Sequence, residues 1–219
     1  MTAWLLVAHI AVLGYWLGSE LVINSTYRYV CYADAMPMAE RARLMDHVMH
    51  VDQHVRYALV LQASLGVMLA ANAGFVPGGQ QVVLAAGAIG VIWLGFVEAV
   101  HRYRARPIGR TLGTIDRGSR YVLMALFVAV AAGLIVGAWP IPGWLRWKLA
   151  AFAGVMACGV GIRIALIAHF RTWSKMVSSG VTSERNAAIR TTYIRATSVL
   201  ILLWIFIALV VWLSVEKPL

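Results

Sequence analysis

Six apolar runs decide what this chain can become. They lie at 4–24, 57–72, 81–100, 121–137, 147–168 and 196–213, and each approaches the roughly 20 helical residues that the hydrocarbon core of a bilayer demands. In that solvent an unpartnered backbone N–H or C=O costs several kcal/mol, so each run has to be a helix. The expected fold is all-α: a polytopic membrane helix bundle with about six transmembrane helices, forming a single integral membrane domain over 1–219. Runs 57–72 and 121–137 are short, and each is expected to borrow a turn from its flank. The first run lacks the basic leader and small-residue cleavage site of a signal peptide, and Glu20 interrupts its end, so it reads as a retained helix.

Charge supports this reading and orients it. Apolar types make up 61% of the residues and charged types 13%, against roughly a quarter charged in soluble domains. A net charge of +10 would point to nucleic acid in a soluble protein. Here the charge sits between the apolar runs, which argues against a nucleic-acid partner and for a lipid bilayer. Arg28, Arg41, Arg43 and Arg56 lie in 25–57; Arg102, Arg104, Arg106, Arg110, Arg117 and Arg120 in 101–120; Arg171, Lys175, Arg185, Arg190 and Arg195 in 169–195. The alternate segments, 74–80 and 139–144, carry no basic residue. By the positive-inside rule the basic segments face the cytoplasm and both termini lie outside, in a multi-pass protein of the cell inner membrane. Cys31 and Cys158 fall in a cytoplasmic segment and inside a helix, an arrangement that disfavours a disulfide or a thiolate metal site.

Local signals refine the picture. The outer turns GFVPGG and WPIPGW are short and rich in Pro and Gly, as tight helical hairpins require. After Pro37 no breaker interrupts 38–57, so the second helix is expected to project beyond the bilayer as one rod. Thr182 and Ser183 can cap a similar extension of the sixth helix. Trp139, Trp144, Trp147 and Trp212 are read as outer interfacial anchors and Trp173 as an inner one.

Four constellations carry possible chemistry. His9 sits in the outer half of the first run, followed by Trp16 and Gly18-Ser19; an imidazole there either ligates haem iron or bonds to a neighbouring polar group. Lys148, at the outer start of the fifth run, either snorkels to headgroups or binds a carboxylate. His47, His50 and His54 recur at i, i+3 and i+7 beside Asp46 and Asp52, a spacing that suits a solvated helical face or a divalent metal. Glu20 and Glu98 lie near the inner ends of the first and third runs, with His101 and Asp116 beyond. Arg163, inside the fifth run, is expected to pair with one of those two carboxylates within the membrane. Phosphate-binding loops, nucleophile elbows, dinucleotide fingerprints and CxxC motifs do not occur.

The segment AHIAVLGYWLGSELVINSTYRYV resembles the first helix of the membrane-embedded, haem-binding protoporphyrinogen oxidases of the HemJ type. The segment PGWLRWKLAAF resembles that family's second signature, Trp-Leu-x-x-Lys-Leu at the start of a later helix. The copper-resistance D proteins and the membrane portion of some bacterial urate oxidases share the first pattern. The resemblance implies His9 as axial ligand of a b-type haem with Trp16 beside it, and Lys148 as a functional group orienting a propionate or substrate carboxylate. It implies a small inner-membrane oxidoreductase that passes electrons between a substrate and quinone or a partner, with a porphyrin-like ligand, a second copy or a membrane-complex subunit as possible associates. A transporter or copper-type metal-handling permease, and a non-catalytic membrane subunit, remain the alternatives.

Overall fold

Long polar loops are scarce because almost every backbone group has been taken up in a helix. The computed structural model describes residues 2–135 and 141–217, and among these residues the regular elements are α1 (Thr2–Tyr32), α2 (Met38–Asn72), α3 (Gly79–Arg102), α4 (Pro107–Ala131), α5 (Gly143–Ser179) and α6 (Ser183–Glu216). The all-α expectation holds. Five of the helices, α1, α2, α3, α5 and α6, are long and apolar enough to cross a bilayer.

The fourth run is built differently from the others. α4 opens on Pro107, whose fixed φ suits the first helical turn, and its first half is rich in arginine. Its apolar part begins at Tyr121 and the helix stops at Ala131, where Gly133 turns with φ 79°. Eleven residues at 1.5 Å each span about 16 Å, roughly half the hydrocarbon thickness. Among the described residues α4 is accordingly not one of the helices long and apolar enough to cross a bilayer. The end of this run and Trp139 lie outside the described residues.

Elsewhere the punctuation reads as expected. α2 is one 35-residue helix with no break between Met45 and Tyr57, about 50 Å long. The α2–α3 turn carries Gly74 at φ 80° and Gly78 at φ 103°, conformations that side-chain-bearing residues resist. The Thr182 hydroxyl accepts from the backbone N–H of Arg185 at 3.2 Å and caps α6.

The contacts divide the chain into two compact units. The first is built on residues 2–22 and 50–123, the second on 23–49, 124–135 and 143–217. Within the first, α2 and α3 approach until backbone meets side chain. A Cβ added at Gly90 would fall 2.4 Å from the Ser64 hydroxyl oxygen, and that hydroxyl donates to the Ala86 carbonyl at 2.7 Å. Gln62 on α2 donates to the His9 carbonyl on α1 at 3.2 Å.

Within the second unit, α5 and α6 pack closely. A Cβ on Gly154 would meet the Phe206 ring at 2.8 Å. The core gathers Tyr27, Val30, Met45, Met176, Ile189 and Tyr193. Arg41 lies in the midst of it with no exposed surface. Its Nε donates to the Val30 carbonyl at 3.2 Å, its Nη1 donates to Asn186 Oδ1 at 3.1 Å, and its guanidinium carbon stands 5.7 Å from the centre of the Trp173 ring. Val30 O belongs to the last turn of α1 and has no intrahelical donor, so the arginine caps a helix end. An Arg190–Asp34 ion pair ties the α1–α2 connection to α6.

A buried guanidinium tolerates few losses. Asn186→Leu is expected to destabilise the protein by about 2 kcal/mol, the loss of a hydrogen bond to a charged group. Arg41→Met combined with Asn186→Leu should recover part of that stability, because no charge is then left buried. Thermal unfolding in detergent measures both, and a double variant less stable than Asn186→Leu alone contradicts this account.

Candidate functional site

In the first unit, polar side chains from four helices meet between the middle of α2 and the C-terminal end of α3. Asp116 of α4 is buried and accepts from Arg56 Nη2 at 2.5 Å and from Arg120 Nη2 at 2.7 Å. Arg56 also donates to Gln53 Oε1 at 3.2 Å, and Gln53 Nε2 donates to the Val97 carbonyl at 3.3 Å. This lattice fixes α2 against α3 and α4. It leaves the next turn of α2 facing outward.

That turn lines a groove of about 580 Å³ bordered by Tyr15, Tyr57, Leu61, Leu94, Gly95 and Glu98. Two polar pairs stand on its wall. The Tyr15 hydroxyl is hydrogen-bonded to His54 Nδ1 at 2.5 Å, joining α1 to α2. The Tyr57 hydroxyl donates to Glu98, which also accepts from Arg102 Nε at 2.5 Å. The His54 and Tyr57 rings meet edge to face with centroids 6.2 Å apart, and His50 meets His101 in the same way at 6.0 Å. The lower wall is leucine and glycine. A flat polar head can therefore sit between two phenols while a hydrocarbon tail follows Leu61 and Leu94.

The residues singled out from sequence have separate fates. Glu20 is buried and accepts from Trp16 Nε1 one turn earlier, at 3.2 Å; Trp16 is thereby occupied within α1. Glu98 is held by Arg102 and Tyr57. Among the described residues Arg163 enters none of the ion pairs, so the structure gives no pairing of it with Glu20 or Glu98. His47, His50 and His54 do lie along α2, but each turns to its own surroundings: His47 and His50 are exposed, and His54 is engaged by Tyr15. Among the described residues no three His, Cys, Asp or Glu side chains are placed to hold a metal ion. The metal assignment for His9, His47, His50 and His54 therefore has no support from a ligand cluster among the described residues.

His9 rests against α2 at Gly66, where an added Cβ would stand 3.7 Å from the imidazole Cε1. It borders neither this groove nor the apolar one near Leu5, Met68 and Gly87. Lys148 is half-buried in the second unit with no ion pair among the described residues. Trp147 and Trp212 are 70% and 53% exposed, as anchors should be, whereas Trp173 is only 8% exposed. The reason is His169, whose ring stacks on Trp173 at 5.5 Å. The anchor assignment for Trp173 is therefore corrected.

His169 is the residue that sequence reasoning passed over. It has no exposed surface, and its Nδ1 lies 3.2 Å from Thr192 Oγ1. That hydroxyl donates its own hydrogen to the Ile189 carbonyl at 2.8 Å, so Nδ1 must be the donor toward Thr192. Its spacing to Trp173, four residues on one helical face, was a usable signal. Arg41 gave none, since an arginine in a basic segment looks the same exposed or buried.

Compared with known protein families, with curated proteins and with solved structures, the chain matches none. The site must be read from its own geometry.

Asp116 is the test of that geometry. Asp116→Asn removes the carboxylate that Arg56 and Arg120 share. Discounted for the partial exposure of both arginines, the expected cost is about 2 kcal/mol. Urea or thermal unfolding of the purified protein measures it, and a variant as stable as the wild type would show that the lattice does not hold α4.

Proposed function

We propose that the chain is a multi-pass inner-membrane redox protein that binds a quinone-class headgroup in the groove between α1, α2 and α3. Its basic segments face the cytoplasm and its termini the outside, as the asymmetry of arginine and lysine indicates. The observation that carries the reading is the pair of relays on one groove wall, Tyr15 with His54 and Tyr57 with Glu98. A quinone carbonyl can accept from a phenol, and a quinol hydroxyl can donate to a carboxylate or an imidazole. Both ligand forms therefore find complementary partners at the same wall. Glu98 lies four residues before the end of α3, about 6 Å along the axis, so its proton can exchange with the aqueous side through the exposed Arg102 end. The apolar continuation past Leu61 and Leu94 suits an isoprenoid tail.

Gly95 offers a clean test. A Cβ added there meets nothing within 4 Å, so Gly95→Leu fills the groove without disturbing the helices. Gly18 is equally open but outside the groove, and Gly18→Leu is the control. Titration of the detergent-solubilised protein with a short-chain ubiquinone, read by tryptophan fluorescence, is expected to show at least tenfold weaker binding for Gly95→Leu, a difference of about 1.4 kcal/mol. Wild type and Gly18→Leu should agree. Equal binding by all three would remove the quinone reading.

A b-type haem on His9 is a second reading, favoured by the likeness of 8–30 to haem-binding helices and by the bare backbone of Gly66 beside the imidazole. When bound it would supply one-electron chemistry; no step is derived through it. An absorption spectrum decides. A Soret band lost in His9→Ala supports the ligand assignment, and a colourless protein or an unchanged spectrum in the variant ends it.

A further inference from the structure

Arg163 is the one charge within the apolar length of α5. Residues 149–168 are otherwise apolar or glycine throughout, and at 1.5 Å each they extend about 30 Å, the thickness of the hydrocarbon core. Arg163 stands about 22 Å along the axis from Lys148 at one end and about 12 Å from Arg171 at the other. It is exposed on the helix surface, and among the described residues it enters no ion pair. Two glycines show that α6 packs on the opposite side. An added Cβ would meet Phe206 at 2.8 Å on Gly154 and Val199 at 3.2 Å on Gly161, and these glycines lie about 180° and about 160° round the helix from Arg163. On the arginine's own side, Gly159 one turn earlier is exposed with nothing within 4 Å of an added Cβ, and Ile167 one turn later is exposed. Gly159, Arg163 and Ile167 fall within about 80° of one another. Because the Cα–Cβ bond of a helical residue tilts toward the helix N-terminus, the Arg163 side chain sets out toward Gly159, away from the nearer boundary at Arg171. Reaching headgroups there would turn it back against that direction.

We propose that Gly159, Arg163 and Ile167 form a docking face for a transmembrane helix of another polypeptide, one that carries an aspartate or glutamate within its apolar length. A guanidinium in hydrocarbon is costly until a carboxylate meets it, and Arg matches a carboxylate through paired hydrogen bonds. The bare backbone of Gly159 lets a second helix come close beside the charge. A second copy of this chain does not supply the carboxylate. Its apolar runs hold two, Glu20 and Glu98; Glu20 is buried and accepts from Trp16, and Glu98 is held by Arg102 and Tyr57. A two-fold contact on this face would moreover bring like charges together. A lipid phosphate sits at the membrane boundary, where Arg171 is the nearer cation.

The probe is a synthetic membrane-spanning helix of leucine and alanine with one aspartate at its centre, compared with the same peptide carrying leucine there. The full chain is reconstituted in phosphatidylcholine vesicles and binding is read by energy transfer between labels on chain and peptide. Wild type should bind the aspartate peptide at least fivefold more tightly than the leucine peptide. Arg163→Leu should bring that ratio close to one. Arg171→Gln removes an exposed charge near the end of the same helix and should leave the preference in place. Gly159→Leu puts bulk into the approach and should weaken binding of the aspartate peptide at least fivefold. No preference in the wild type, a preference that survives in Arg163→Leu, an equal fall in Arg171→Gln, or undiminished binding by Gly159→Leu would each overturn the proposal. Loss of the preference when phosphatidylglycerol is included would assign the face to lipid, and self-association of the wild type that Arg163→Leu abolishes would assign it to a second copy; either result also overturns it.

Discussion

Hydrocarbon offers a polar side chain no partner, and this chain answers by aiming long donors at the carbonyl oxygens of neighbouring helices. Gln62 reaches His9 O, Gln53 reaches Val97 O and Ser64 reaches Ala86 O in the first unit; Arg41 reaches Val30 O and Arg146 reaches Ala131 O in the second. A carbonyl has two lone pairs, and a helix uses at most one of them. The spare one is an acceptor available anywhere along a helix, independent of side-chain identity. At Val30 and Ala131 both are free, because those residues lie in the last turns of α1 and α4. These bonds stitch helices together where the hydrophobic effect gives no drive for one apolar surface to prefer another over lipid.

The helices themselves were legible because their cause is local. Hydropathy marks the runs, Pro37 marks the start of α2, and the lack of a breaker up to Tyr57 gives its length. The side-chain partnerships were not legible, because they depend on which helix stands opposite. Tyr15 and His54 are 39 residues apart and neither sits in a motif. Arg41 lies in a basic segment like its neighbours, yet it is buried. Trp173 has the composition and position of an interfacial anchor, yet it packs against His169. α4 shows the limit of hydropathy alone: its apolar run marks a helix, but the helix stops at Ala131 within that run.

The contact between Ser64 and Gly90 has a consequence at a distance. From Ser64 back to Tyr57 is seven residues, and from Gly90 on to Glu98 is eight, so on antiparallel helices the two pairs stand about 11 Å apart along the same seam. The hydroxyl against bare backbone acts as a key in a slot, forbidding α3 to slide or roll against α2. Phenol and carboxylate are thus brought into phase by a residue that has no chemistry of its own. In any survey of variants Gly90 would score as a site residue, though it touches nothing that a ligand could touch.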